Sequence, residues 1–183
     1  KAKFVGDVII APLCVQDFLK MVQGIALADH ALISGTSILK DKIGEAIASP
    51  LLSWSSIPNH PELAGSYAIT SDGFVAKDVS IIEKGILKNH LLSLYGAKKT
   101  NRERSGSYGA TMVVEAGNTA LKDLIKNVER GILLTRFSGG SPGANGEFAG
   151  VAKNSFYIEN GEIQFPITET MVSGNIFDSL KHI

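Results

Sequence analysis

Two short segments sharing one pattern constrain this chain most. Ile82-Glu-Lys-Gly-Ile-Leu-Lys88 and Ile158-Glu-Asn-Gly-Glu-Ile-Gln164 both read Ile-Glu-x-Gly-x-[Ile/Leu]. A two-residue hairpin turn of the primed type needs positive φ at its central positions. Asn-Gly supplies it with least strain, and Lys-Gly is a weaker version. Two antiparallel hairpins are therefore expected. Two copies are too few for a solenoid, so they are expected as equivalent hairpins in one mixed sheet.

The rest of the pattern alternates between periods. Phe4 to Ala11 reads as a short buried strand ended by Pro12. Val15, Phe18, Leu19, Val22 and Ala26 recur at helical spacing and predict an amphipathic helix over 14–28. Ile38, Leu39, Ile43 and Ile47 predict a second short helix over 38–48, stopped by Ser49-Pro50. Residues 49–66 read as a loop carrying Trp54, and the polar segment 97–111 is expected to be mobile. Thr111 to Glu115 reads as a buried strand. Asn118 or Thr119 is expected to cap a helix with Leu121, Leu124, Ile125 and Val128 on its apolar face. Gly131 is expected as its left-handed C′ residue, followed by a strand over 132–137. The expected fold is α+β: a mixed, largely antiparallel, curved sheet with two or three packed helices.

With 183 residues, one domain over 1–183 is expected, able to bury about two thirds of its unfolded surface. The chain begins at Lys1 and ends in a helix-like run, Ile176 to Ile183. Both features suggest a fragment of a longer protein.

Charge removes one class of partner. Lys+Arg and Asp+Glu are both 18, so the basic excess of a nucleic-acid binder is missing and no direct nucleic-acid partner is expected. The only basic cluster, Lys98, Lys99, Arg102 and Arg104, is split by Glu103 and reads as a solvated loop. Cys14 is the only cysteine. It permits no internal disulfide and fits a buried thiol in a reducing cytosol. No apolar run approaches the ~20 residues of a membrane-spanning helix.

Hydrolytic metal sites usually recruit histidine. His30, His60, His90 and His182 are too scattered for one helix to present two on a face. His60-Pro-Glu62 brings a base near a carboxylate, but Pro61 puts the pair in a loop. His90 reads as a sheet-face residue, and His30 follows a helix end. The loop Ser138 to Gly146 is glycine-rich after a strand, yet lacks the Gly-Lys-Ser/Thr of a phosphate loop. Strands rather than a helix follow it, which argues against a dinucleotide site. Backbone exposed beside a strand suits the addition of an extended peptide; a simple wide loop is the plainer reading.

Gly131-Ile-Leu-Leu-Thr-Arg-Phe-Ser-Gly-Gly140, Ile158-Glu-Asn-Gly-Glu-Ile-Gln-Phe-Pro-Ile167 and Ser173-Gly-Asn175 resemble, in type and order, the C-terminal domain of the TldD/PmbA family. That family was formerly described as modulators of DNA gyrase. Gly35-Thr-Ser37 and Gly44-Glu-Ala-Ile-Ala-Ser-Pro50 extend the resemblance more weakly along the chain. The resemblance implies a cytoplasmic two-subunit zinc metallopeptidase acting on peptides and unfolded or antitoxin-like proteins. Its TldD-type subunit carries a helical H-E-x-x-x-H. Registered by Gly35-Thr-Ser37, this sequence has Met21 and Ile25 where those histidines belong and Val22 in place of the glutamate. No shift by a residue or two brings in two histidines.

The resemblance therefore implies a PmbA/TldE-like partner subunit with no catalytic or metal-binding residue of its own, zinc being held by a TldD-like partner. A homodimer is the other assembly expected of the isolated chain. Arg136, Phe137, Ser138, Gly139 and Gly140 are expected to meet the partner or peptide. The structural alternative gives the glycines to turn geometry and Phe137 to the core. Two other functions stand beside it: a stand-alone metal-dependent peptidase or amidohydrolase using His60 and Glu62, and a non-enzymatic binding module acting on DNA gyrase.

Overall fold

The computed structural model describes residues 3–183. In chain order the elements are β1 (Asp7–Ile10), α1 (Pro12–Val22), a π-turn (Gln23–Leu27), α2 (Asp29–Ile33), β2 (Trp54–Ser56), β3 (Val79–Glu83) and β4 (Ile86–Leu87). Then come α3 (Leu94–Thr100), β5 (Met112–Val114), α4 (Leu121–Lys126), β6 (Arg130–Leu134), β7 (Arg136–Gly139) and β8 (Glu147–Lys153). The chain closes with β9 (Ser155–Glu159), β10 (Glu162–Ile167), β11 (Thr170–Asn175) and α5 (Ile176–Lys181). The α+β class is as the periodicity predicts. The strands form three open sheets rather than one, and among the described residues only α1 exceeds seven residues among the α-helices. The chain divides into two compact units.

One unit comprises the chain up to Leu19 with Gly117–Ser141 and Phe148–Gly174. Its four-stranded sheet has the order β1-β6-β9-β10. β1 and β6 run parallel, with Val8 opposite Ile132, and the other pairs are antiparallel. Val128, Leu133 and Ile158 are buried together on one face, with Ile9, Ile125 and Phe156 packed against them. The turn at Asn160-Gly161 has φ of 52° and 78°, as the primed hairpin requires.

Gly131 is not the helix cap expected of it. It lies within β6, where a Cβ would stand 2.3 Å from the Asp7 carbonyl oxygen and 2.8 Å from Val128 Cγ1. Glycine is needed there because β1 and the end of α4 both close on the strand. Nor do Asn118 and Thr119 cap α4: its N-cap is Ala120, with no side-chain bond. Leu121 and Leu124 are largely exposed, because so short a helix turns only Ile125, and Val128 beyond it, onto the sheet. The strand expected over 132–137 is broken at Thr135, whose N–H donates to Ser155 Oγ at 3.2 Å. The chain there leaves the first sheet for a three-stranded one, order β11-β8-β7. Phe18, Phe137 and Phe148 pack as a triad on it, with centroids 5.3–5.7 Å apart.

The second unit comprises Lys20–Ala116, Pro142–Glu147 and Asn175–Ile183. Its sheet has the order β4-β3-β2-β5. The expected hairpin is present at Lys84-Gly85, with φ of 46° and 80°. The expected loop carrying Trp54 is instead an interior strand: β2 pairs with both β3 and β5, and Trp54 is fully buried. The buried serine of β2, Ser56, survives burial because its hydroxyl finds partners. Ser56 Oγ accepts from Ser107 Oγ at 2.9 Å and from the Gly109 N–H at 3.2 Å. The strand expected at Thr111–Glu115 is only partly buried, since β5 is a sheet edge.

The helix expected over 38–48 does not form. Its backbone groups are taken by the β3–β4 hairpin: Gly85 O accepts from Ile47 N (2.8 Å) and Ala48 N (3.1 Å), Leu87 O from Gly44 N (2.7 Å), and Glu45 O from Leu87 N (3.0 Å). Ile47 and Leu39 are buried all the same, so the apolar spacing marked burial and not helicity. The segment 97–111 is not a loose loop either. Ser93 Oγ caps α3 by accepting from Gly96 N at 3.2 Å, and Ser105, Ser107 and Thr111 are buried.

Gly131→Ala is expected to destabilise the protein by about 1–3 kcal/mol, the usual cost of forcing extra volume into packed surroundings. Gly117→Ala, with nothing within 4 Å of the new methyl, is expected to be near neutral. Chemical denaturation of the two variants checks the difference; equal midpoints would remove the close-approach argument.

Candidate functional site

The segment α1 to Leu27 is one helix with a π-turn at its end. Phe18, Leu19, Val22, Ala26 and Leu27 are buried, whereas Asp17, Lys20 and Gly24 are exposed and Met21 and Ile25 are half-buried. Widening a helix into a π-turn frees carbonyls that need other partners. Gln23 O accepts from Ala28 N at 2.9 Å, Leu27 O from Leu91 N at 2.8 Å, and Ala26 O from Ser37 Oγ at 2.6 Å. Gln23 Nε2 donates to Tyr108 O at 2.8 Å. Ser37, in the Gly35-Thr-Ser37 stretch, thus closes the turn.

Counted out from Met21, an H-E-x-x-x-H spacing ends on Ala26 rather than on Ile25. The chemistry is unchanged by that correction. Ala and Ile offer no donor atom, and a methionine thioether is a poor ligand for a water-activating zinc. Val22 and Ala26 are 0% exposed and serve as core. These residues do not fit a zinc ion. Among the described residues, no three His, Cys, Asp or Glu side chains gather where a metal would be held.

The histidines lie apart. His60 Nδ1 accepts from the Glu62 main-chain N–H at 3.2 Å, in an exposed turn. His30, expected just past a helix end, lies in α2 and is exposed. His90, expected on a sheet face, is buried outside the named strands and donates from Nε2 to Leu39 O at 3.0 Å. His182 closes α5.

Arg136, Phe137, Ser138 and Gly139 form β7, an edge strand paired only with β8, and Gly140 follows it. The five residues divide by role. Phe137 is buried in the aromatic triad, and its N–H faces the sulfur of buried Cys14. Burial pushes the Cys14 thiol up, Asp17 adds to this, and the Phe137 N–H opposes it. A Cβ on Gly139 would meet Phe137 Cζ at 2.6 Å and Ala149 O at 2.7 Å, so that glycine serves packing. Arg136, Ser138, Gly139 and Gly140 are exposed, and Gly140 has open space around it. β8 follows the loop where a dinucleotide fold would place a helix.

Sequence reasoning missed the densest polar cluster. Asp72 accepts from Arg104 Nε and Nη2 (3.1 Å each), Thr70 Oγ1 (2.6 Å), Leu94 N (2.8 Å) and the Tyr108 hydroxyl. The Arg104 guanidinium lies 4.1 Å from the Phe74 ring centroid. The Arg104 fork holds the Asp72 carboxyl well below the usual carboxylate range against the burial that would raise it, with Thr70, Tyr108 and Leu94 assisting. The single sequence signal was Arg104, the last member of a basic stretch next to Ser-Gly-Ser-Tyr, and it read as solvated.

The comparisons with known proteins follow this geometry. The family model described as the PmbA/TldA metallopeptidase C-terminal domain matches residues 4–183. The chain belongs to the PmbA/TldD family. A metalloprotease of Methanothermobacter thermautotrophicus is 31% identical over 97% of this chain and 41% of its own length. A metalloprotease PmbA homolog of Haemophilus influenzae is 32% identical over 86% of the chain and 36% of its length. Among solved structures, a putative modulator of DNA gyrase from Bacteroides thetaiotaomicron superposes with TM-score 0.86 at 29% identity, covering 99% of this chain and 42% of that one. TldE from Thermococcus kodakarensis superposes with TM-score 0.79 at 25% identity, over 95% and 42%. This PmbA/TldD-family chain thus spans about two fifths of the length of such relatives. No helix among its described residues is long and apolar enough to cross a membrane.

Acid should destabilise the protein in two steps. Burial lowers the His90 pKa from 6.5, with Arg102 adding to this and the Leu39 carbonyl and Asp41 opposing it. Asp72 is lowered too. For each group the unfolded chain takes up its proton at a higher pH than the folded chain does. His90's contribution is present above about pH 6.5 and is lost as pH falls through its lower folded value. Asp72's contribution is present above about pH 4 and is lost below it. Thermal midpoints measured from pH 8 to pH 3 should fall on both limbs. His90→Gln should flatten the upper limb and Asp72→Asn the lower; unchanged profiles would contradict the assignments.

Proposed function

We propose that this chain is the PmbA/TldE-type, non-catalytic domain of a heteromeric zinc peptidase whose metal is held by a TldD-type subunit, and that the assembly cuts peptides and unfolded proteins. The observation that carries this reading is the helix leading into the π-turn. It keeps the family's fold, yet Met21, Val22, Ile25 and Ala26 offer an apolar face in place of imidazoles and a carboxylate. Support for the partnership comes from the neighbours: one matched structure is titled TldE, and one relative is named zinc metalloprotease TldD homolog, from Saccharolobus solfataricus. The zinc named there belongs to that relative.

In this reading the β7 edge meets the extended peptide or the partner. Arg136 supplies a charge, Ser138 and Gly140 leave the approach open, and Phe137 with Gly139 keeps the strand flat against its own sheet. Apart from the Phe137 N–H, which faces Cys14, an edge strand offers backbone donors and acceptors to an added strand whatever its side chains, which suits substrates without a fixed sequence.

Co-expression of the full-length protein with a TldD-type subunit tests the proposal. Zinc and peptide cleavage are expected in the complex, abolished by changing the partner's H-E-x-x-x-H and untouched by His60→Ala in this chain. Stoichiometric zinc in this protein alone, with cleavage lost on His60→Ala, would overturn it in favour of a stand-alone peptidase. Arg136→Glu is expected to weaken binding of the partner or of an unfolded peptide by on the order of 1–2 kcal/mol, read by calorimetry. Unaltered affinity would take β7 out of the interface.

A further inference from the structure

The Asp72 cluster is larger than its loop requires. It joins three segments far apart in sequence: the turn Thr70–Phe74, the start of α3 at Leu94, and the stretch Arg104–Tyr108. The turn is already closed without Asp72, by Thr70 N to Phe74 O (2.8 Å), Gly73 N to Thr70 O (2.9 Å) and Phe74 N to Thr70 Oγ1 (3.1 Å). An ionised carboxylate has about four lone-pair sites, and here they serve five donor hydrogens from four residues. The two side chains of the ion pair are only 17% and 18% exposed, so the pair is shielded far more than an ordinary surface bridge.

What lies beyond Tyr108 gives the cluster a direction. The Tyr108 hydroxyl ends on Asp72, while its main-chain carbonyl accepts from Gln23 Nε2 at 2.8 Å. Gln23 opens the π-turn. The next residue, Gly109, has φ of 76°, and a Cβ there would stand 3.0 Å from Leu91 Cδ1 and 3.1 Å from Gln23 Nε2. Leu91 N in turn holds Leu27 O. The segment 104–109 therefore touches the π-turn at its first residue and, through Leu91, at its last.

We propose that Asp72, Arg104 and Tyr108 form a positioning network that holds the π-turn, and with it the Met21–Ile25 face, in place through Gln23. This deepens the partner-subunit reading by naming what fixes that face, but it concerns the isolated protein and is tested without any partner. Asp72 and Arg104 act as positioning residues, through Tyr108 and Gly109. The network works by supplying a fixed Tyr108 carbonyl and a fixed Gly109 backbone against which the turn is packed.

Amide hydrogen exchange on the full-length protein tests it. In Asp72→Asn, the amides of Ala28 and Leu91 are expected to exchange about tenfold faster, the scale of one lost charge-assisted hydrogen bond. Ile81 and Ile82 of β3 should be unchanged. Gln23→Met, which leaves the Asp72 cluster intact, should accelerate the same two amides while those of Thr70–Phe74 stay as they were. The double variant should be no faster at Ala28 and Leu91 than the more affected single variant, because both act on one path. Faster exchange confined to Thr70–Phe74 in Asp72→Asn would overturn the proposal. So would an equal rise in β3, which marks plain global destabilisation, or strictly additive effects in the double variant. If the network holds but no zinc-bearing partner is found, only the functional reading falls.

Discussion

Long stretches of this chain lie outside regular helices and strands, and every buried N–H and C=O in them needs a partner. That requirement organises the structure. The β3–β4 hairpin works as a docking rail: Gly85 O takes two amide donors from 47–48, and Gly85 N donates to Leu52 O at 2.9 Å. A Cβ at Gly85 would lie 2.4 Å from Ala48 O, so the rail exists only because the turn residue has no side chain. At the π-turn the same accounting is met by Ser37, Leu91 and Gln23. At the C-terminal end, Asn175 Oδ1 accepts from Phe177 N and Asp178 N to start α5, and Leu180 O accepts from Ser49 N. Small polar residues that composition alone assigns to loops are the ones that make irregular backbone burial affordable.

This explains what was legible in the sequence. The two hairpins were readable because a primed turn is decided by its own two residues, Lys84-Gly85 and Asn160-Gly161. The helix 14–28 was readable because five apolar residues at one spacing have few alternatives, although its π-turn was not. The helix over 38–48 was misread because its apolar spacing was satisfied by burial against a hairpin some forty residues away, and periodicity cannot see such a partner. Trp54 was placed in a loop because the serines around it read as polar, yet Ser53 Oγ accepts from Lys84 N, and Ser56 Oγ from Ser107 and Gly109, across the fold. Gly131 looked like a cap and proved to be a point of close approach. Both roles require glycine, so identity alone could not separate them.

The candidate site was legible to a similar degree. The five residues from Arg136 to Gly140 came out together because they are contiguous, but that Phe137 alone of them is buried, and that Gly139, though exposed, has no room for a side chain, needed the strand's facing. That Met21, Val22, Ile25 and Ala26 carry no imidazole or carboxylate is a matter of residue type and needs no structure. The Asp72 cluster was invisible. Its members stand 22 to 36 positions from Asp72, apart from Thr70, and nothing local distinguishes Arg104 from its solvated neighbours.

The apolar helix also bears on how easily donors could be put there. Val22 and Ala26 are fully buried, and a buried valine side chain contributes on the order of 1.5–3 kcal/mol through apolar area. A carboxylate at position 22 would forgo that contribution and add a desolvation penalty of several kcal/mol unless a cation or metal met it. An imidazole at 26 would have to enter space that now holds a methyl, beside the carbonyl that Ser37 occupies. Ligands and packing therefore compete for the same positions on this turn. Introducing histidines and a glutamate one at a time would lower stability at each step before any metal could repay it. The apolar face is thus held by packing, and putting a metal-binding set on this helix would take several simultaneous changes.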